Sequence, residues 1–271
     1  MDRATAEWLT SPDAVLILAA GASEENPASL AAGERLRRLV APHQAAAVAE
    51  QVTLRRQAVR KLGAMAEQLF FTRDGLEQAT RPAVAARRAA RWASMGVGDV
   101  VDLTCGLGLD ALAFAHAGLR TTAVEIDPVT AVFARANLAG QAEVVTGDAV
   151  SLASELLASG SAAFCDPARR TTAGRSWRVE DLTPPWAFVS SLLDADACVK
   201  LGPGFPLTQI PDHVEAEWVS DRGDVVECAL WGGQATTPGR RRAVVDSHEL
   251  VSDHLLDAPA PGPVGRYVYE P

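Results

Sequence analysis

Residues 102–110 read Asp102-Leu103-Thr104-Cys105-Gly106-Leu107-Gly108-Leu109-Asp110. A β-branched run, Val100–Leu103, leads into this stretch, and a helical pattern, Leu109–Ala117, leads out of it. The two glycines therefore occupy a strand-to-helix turn. Glycine permits a tight turn and lets a ligand approach the backbone, while the start of the helix offers unpaired N–H donors. The same texture repeats downstream, with strands at Thr121–Ile126, Glu143–Thr146, Ala162–Cys165 and Ala197–Leu201, and helices at Val129–Leu138 and from Pro184-Pro185 through Leu193. Alternation of this kind predicts βαβ units and a parallel sheet covered on both faces. Glu215–Ser220 and Val225–Leu230 flank Asp221-Arg222-Gly223-Asp224 and predict an antiparallel hairpin.

Four acids close successive strands of this pattern: Asp102, Glu125, Asp148 and Asp166. One such acid would be a helix cap; four along the carboxyl edge, where open α/β sheets bind ligands, make a site. Glu125 stands where a carboxylate takes both ribose hydroxyls of a nucleoside. The run Gly106-x-Gly108-x-x-Ala111 also satisfies the loose dinucleotide fingerprint, so two cofactors fit the turn alone. Asp102 separates them. A pyrophosphate needs no carboxylate beside it, whereas the cationic amino group of S-adenosylmethionine (SAM) does. Asp148 is placed to accept from an adenine amino group. Asp127, before Pro128, reads as an ordinary N-cap, and Asp110 falls in a first helical turn, where the dipole favours it.

The chain has 271 residues, 48% of them hydrophobic, with 25 Lys+Arg against 34 Asp+Glu and a net charge of −9. Its length suits one large or two modest domains, and disorder is excluded. The acidic balance gives no general attraction to phosphate or to anionic membranes, so nucleic-acid affinity has to be local. Cys105, Cys165, Cys198 and Cys228 have neither disulfide-framework nor zinc spacing, and the histidines form no ligand set, so no metal is expected. The apolar run Ala14–Ala20 is too short to span a bilayer, and the expected setting is the reduced cytoplasm, away from membranes.

Residues 1–91 read as helices. After Pro42, the positions Val48, Val52, Val59, Leu62, Ala66 and Leu69 form one apolar stripe of a long helix, with Arg55, Arg56, Arg60 and Lys61 as a solvated basic face. Pro82 opens a further helix ending near Met95-Gly96. Beyond Gly233, a plausible linker leads to Arg240-Arg241-Arg242, a short strand at Ala243–Val245 and a Pro/Gly-rich end. The expected organisation is a helical accessory region over 1–80 that packs on the next unit, a ligand-binding α/β domain over 81–235, and a linker or tail over 236–271.

Val101-Asp102-Leu103-Thr104-Cys105-Gly106-x-Gly108, Val124-Glu125-Ile126-Asp127-Pro128, Gly147-Asp148-Ala149 and Asp166-Pro167-Ala168-Arg169 resemble motifs I to IV of the class I SAM-dependent methyltransferases. The resemblance covers roughly residues 78–233 and implies a Rossmann-like α/β sheet, mostly parallel, with an antiparallel hairpin at its end and an N-terminal α-helical region. It implies SAM contacts from Asp102, Thr104, Gly106, Gly108, Glu125, Ile126, Asp148 and Ala149, with Gln78 and Thr80 over the methionine end. The wording is similar to RNA methyltransferases, above all to a bacterial group with Asp-Pro-Ala-Arg-Arg and a C-terminal THUMP-like, RNA-binding domain. Gly75–Thr80 and Gly265–Pro271 are also similar to that group. Such chains continue past this point, so the resemblance implies a truncated or unusually short chain and an RNA partner bound mainly elsewhere.

Amine methyltransferases of this class usually carry two prolines and an aromatic after the motif IV acid. Here Ala168 replaces the second proline and Arg169 the aromatic. Asp166, Pro167 and Arg169 are the expected catalytic residues, and Arg169, Arg170 and Lys200 the expected substrate contacts, because a guanidinium stacks on a base or grips a phosphate. Trp177 is a candidate base contact. Uracil carbon-5 enzymes add a cysteine nucleophile after the next strand, but Cys198 lies inside that strand and reads as buried. Two further readings remain: a non-catalytic SAM- or nucleotide-binding module serving RNA binding or assembly, and a Rossmann oxidoreductase weakened by Asp102.

Overall fold

The computed structural model describes residues 1–169, 179–233, 236–246 and 248–252. The chain begins with α1 (Arg3–Leu9), α2 (Val15–Ala22), α3 (Leu30–Leu36), α4 (Pro42–Leu62), α5 (Arg73–Gln78) and α6 (Pro82–Ser94). There follow β1 (Asp99–Asp102), α7 (Leu109–His116), β2 (Arg120–Glu125), α8 (Pro128–Leu138), β3 (Glu143–Thr146), α9 (Ala149–Leu156), β4 (Ala162–Cys165) and β5 (Ala168–Arg169). Then come β6 (Leu182–Thr183), α10 (Trp186–Leu192), β7 (Ala197–Leu201), β8 (Glu215–Asp221), β9 (Asp224–Gly232), β10 (Arg241–Val245) and β11 (His248–Ser252). The main sheet runs β3-β2-β1-β4-β7-β9-β8-β10-β11, and β5 pairs with β6 beside it. Strands β3, β2, β1, β4 and β7 are parallel, while β9 is antiparallel to both its neighbours. This is the expected Rossmann-like class of sheet, with its antiparallel hairpin at β8–β9.

Strand alternation sorts the core to two faces. Val100 and Phe164 join Trp92 of α6, Phe114 of α7 and Trp231 on one side. Val101, Ala163 and Val199 join α9 and α10 on the other. The N-terminal helices share a third cluster with Val132 and Phe133 of α8 and with Leu107 and Leu109 of the glycine turn.

Two stretches depart from the sequence reading. The helix from Pro42 stops at Leu62, where Gly63 takes φ 65°, and residues 63–67 form a 3-10 turn, leaving Val59 exposed. The basic face beside it is bonded more than solvated: Arg56 donates to the carbonyls of Ala22, Glu24 and Glu25, Arg55 to that of Leu69, and Lys61 to those of Leu76 and Glu77. The second departure is the arginine run at 240–242, which leads directly into β10, parallel to β8, and on to β11. Arg242 meets Glu215 and Glu217 of β8 and Glu249 of β11, and Arg87 and Arg91 of α6 reach the same carboxylates. Arg242, which the sequence places just past a linker, is thus consumed in holding the sheet's outer strands.

Candidate active site

The glycine turn lies where β1 passes into α7. Gly106 and Gly108 take φ 54° and 82°, the left-handed region in which a Cβ is strained, and no atom lies within 4 Å of where a Cβ on Gly106 would point. The turn thus presents bare backbone to open space. Beneath it, Asp102 is 0% exposed. Its Oδ1 accepts from the Thr104 amide at 3.2 Å, and its Oδ2 has no partner among the described residues. Burial, with the charge of Asp110 added, holds the Asp102 carboxyl well above the usual carboxylate range.

At the end of β2, Glu125 accepts from the Asp127 amide at 2.7 Å. Burial raises its carboxyl, opposed by that amide and by those of Gly106 and Ile126. The next side chain, Ile126, is apolar yet 66% exposed. Asp148 caps α9, accepting from the Val150 amide at 3.2 Å and the Ser151 hydroxyl at 2.9 Å, with Ala149 buried behind it. Asp127 caps α8 through the Thr130 amide, as its place before Pro128 suggests.

Asp166 follows β4. Its amide donates to Thr104 Oγ1 at 2.7 Å, tying it to the glycine turn, and its Oδ2 accepts from Lys200 Nζ at 2.5 Å. Lys200 also donates to Thr80 Oγ1 at 2.9 Å, and Thr80 donates to Asp110 Oδ2 at 2.5 Å. Asp110 Oδ1 accepts from Arg88, whose Nη2 donates to Glu227 Oε1 at 2.5 Å. Sequence reasoning missed Arg88 and Glu227 and gave Asp110 only a dipole role. Arg88 sits in an Arg-Arg doublet that reads as helix surface, and Glu227 lies 139 residues away.

Gln78, Thr80, Asp102, Thr104, Gly106, Leu107, Asp110 and Asp166 line one cavity. Gln78 ends α5, and Lys61 grips that helix's last carbonyls at 3.0 and 2.7 Å. Burial, together with Lys200 and Arg81, lowers the Lys61 ammonium to about 8. Pro167 is buried, Ala168 is exposed, and the backbone of Arg169 pairs with Leu182. Arg170 and Trp177 lie outside the described residues. All four cysteines are free and buried, and burial raises every thiol. A thiolate nucleophile is not favoured at any of them.

No family model matches the chain. Two curated Mycobacterium tuberculosis proteins, from strains CDC 1551 / Oshkosh and ATCC 25618 / H37Rv, are each 31% identical over 239 residues, which is 82% of this chain and 64% of the relative. Both are described as uncharacterised SAM-dependent methyltransferases. The chain therefore spans about 64% of the length of these relatives. A crystal structure from Porphyromonas gingivalis W83, assigned to the methyltransferases, matches with a TM-score of 0.69 at 25% identity, covering 88% of this chain and 65% of that one. The strand order, the glycine turn and these likenesses agree: the chain has the Rossmann-like fold of the methyltransferases, and its sequence is similar to proteins described as SAM-dependent.

Proposed function

We propose that this chain is a SAM-dependent methyltransferase whose acceptor is RNA. The observation that carries the cofactor is the sealed, unpartnered Oδ2 of Asp102 at a cavity wall beneath a bare glycine turn. An ammonium group would satisfy that oxygen, whereas a pyrophosphate offers it no donor. The other residues fit the same group. Glu125 is placed to take the ribose hydroxyls and Ile126 offers an apolar face to a base. Asp148, though it caps α9, keeps lone pairs for an adenine amino group, with Ala149 opening the helix beside it. Thr104 ties the turn to Asp166, while Gly106, Gln78 and Thr80 shape the wall around the methionine end.

SAM, when bound, supplies an electrophilic methyl group. The chain's part is positional. Asp166 and the Pro167 carbonyl orient an acceptor N–H or O–H, Arg169 and Arg170 stack on a base or hold a phosphate, and Lys200 holds Asp166. RNA is favoured by the resemblance of the Asp-Pro-Ala-Arg-Arg wording to RNA methyltransferases and by the guanidinium groups that follow the acid. Transfer of tritium from labelled SAM into RNA, protein and small-molecule fractions of a lysate tests the reading. Label in RNA is expected. Label confined to another fraction would move the acceptor, and SAM binding without transfer to any fraction would favour the binding module that the Ala168 replacement allows.

A further inference from the structure

Lys200 is the one charged residue of β7; Ala197, Cys198, Val199 and Leu201 around it are buried. Its side chain is 13% exposed, so the ammonium has given up most of its water. Methionine would fill the same space without that penalty, which means that packing does not explain a lysine here. Its bonds do. The ammonium donates to Asp166 Oδ2 and to Thr80 Oγ1, and a hydroxyl is the group that can accept from Lys200 while donating onward to Asp110. Asp110 meets Arg88, and Arg88 meets Glu227 on β9. Burial works to lower the Lys200 ammonium, but Asp166, Asp110 and Glu227 together raise it, so it stays charged. The line of alternating charge runs from the acid at the acceptor side, past the segment at the cofactor side, into the core.

We propose that Lys200 is a positioning residue of the transfer site, holding the Asp166 carboxylate in place against the Gln78–Thr80 segment and balancing its charge beside the group to be transferred. The inference rests on the methyltransferase reading. Asp166 keeps 31% of its side chain exposed, so without the ammonium its carboxylate is free to turn and carries an unbalanced charge. Lys200 acts through Asp166, and the Arg88–Glu227 pair fixes the far end of the line.

The test compares two nucleosides that differ in charge at the transfer position: S-adenosylhomocysteine, which is neutral there, and sinefungin, which carries an ammonium. Their affinities are measured by calorimetry on the full chain and on Lys200→Met and Lys200→Arg, with thermal melts to follow folding. In Lys200→Met the unbalanced Asp166 should favour the cation, raising the ratio of sinefungin to S-adenosylhomocysteine affinity by about fivefold or more. Lys200→Arg should keep the wild-type ratio within about twofold. Should Lys200→Met fail to fold, Lys200→Gln carries the same expectation. A ratio unchanged in a folded neutral variant overturns the inference alone, and so does failure of both neutral variants to fold, which would make Lys200 a core residue. A wild-type chain that binds neither nucleoside overturns the methyltransferase reading and this inference with it.

Discussion

A carboxyl sealed from water, as Asp102 is, holds its proton to higher pH than a solvated one. An ammonium bound beside it favours the charged form, so binding should release protons, and affinity should climb with pH below the raised Asp102 value. Calorimetry of S-adenosylhomocysteine in phosphate and in Tris reads that release as a difference in apparent heat. A net release of protons is expected, and Asp102→Asn should remove most of it. The unliganded fold feels the opposite slope. Because the folded chain holds this proton more tightly than the unfolded chain, the group favours folding most at pH below the unfolded carboxyl's range. That contribution is lost as pH climbs through the folded value. Glu125, also raised by burial, adds to both trends.

Helix α5 is short, and its glycine explains how it touches the site. A Cβ on Gly75 would fall 2.7 Å from Thr72 Oγ1, the helix's own cap, and 2.8 Å from Leu107 Cγ in the glycine turn. Gly75→Ala should thus cost about 1–3 kcal/mol of stability in denaturant unfolding and weaken S-adenosylhomocysteine binding at once. Gly98→Ala, where a Cβ meets nothing within 4 Å, is the control, expected within about 0.5 kcal/mol of wild type. Such contacts explain what was legible beforehand. The carboxyl-edge acids Asp102, Glu125, Asp148 and Asp166 could be placed because each stands at or just past the end of a strand run, a local signal. The Leu107–Gly75 contact, the Arg88–Asp110–Glu227 line and the pairing of β10 with β8 were hidden because they depend on partners far along the chain. Arg242 looks like a solvated basic run until β8 brings Glu215 and Glu217 beside it.

The N-terminal helices share one core with α8 and the glycine turn. Phe70 stacks on Phe133 of α8 at 5.8 Å, and Asn137 bonds both the amide and the carbonyl of Phe70. A chain starting at Thr72 would uncover Val132 and Phe133 and lose those bonds. It is expected to melt more than about 10 °C below the full chain or to aggregate, which a thermal melt reads. The hairpin β8–β9 closes the same assembly from the other end. Arg222 donates to the Arg60 and Lys61 carbonyls that end α4, and Arg81, next to Thr80, holds Asp221 and Asp224. These ties cross 140 to 162 residues of sequence. On a ribosome adding about 5–20 residues per second, the emerging helices wait roughly 10–30 s for the hairpin that caps them. Through that interval the last carbonyls of α4 lack their late partner and Thr80 lacks its lysine, so the nascent chain carries every residue of the glycine turn well before it has a finished site.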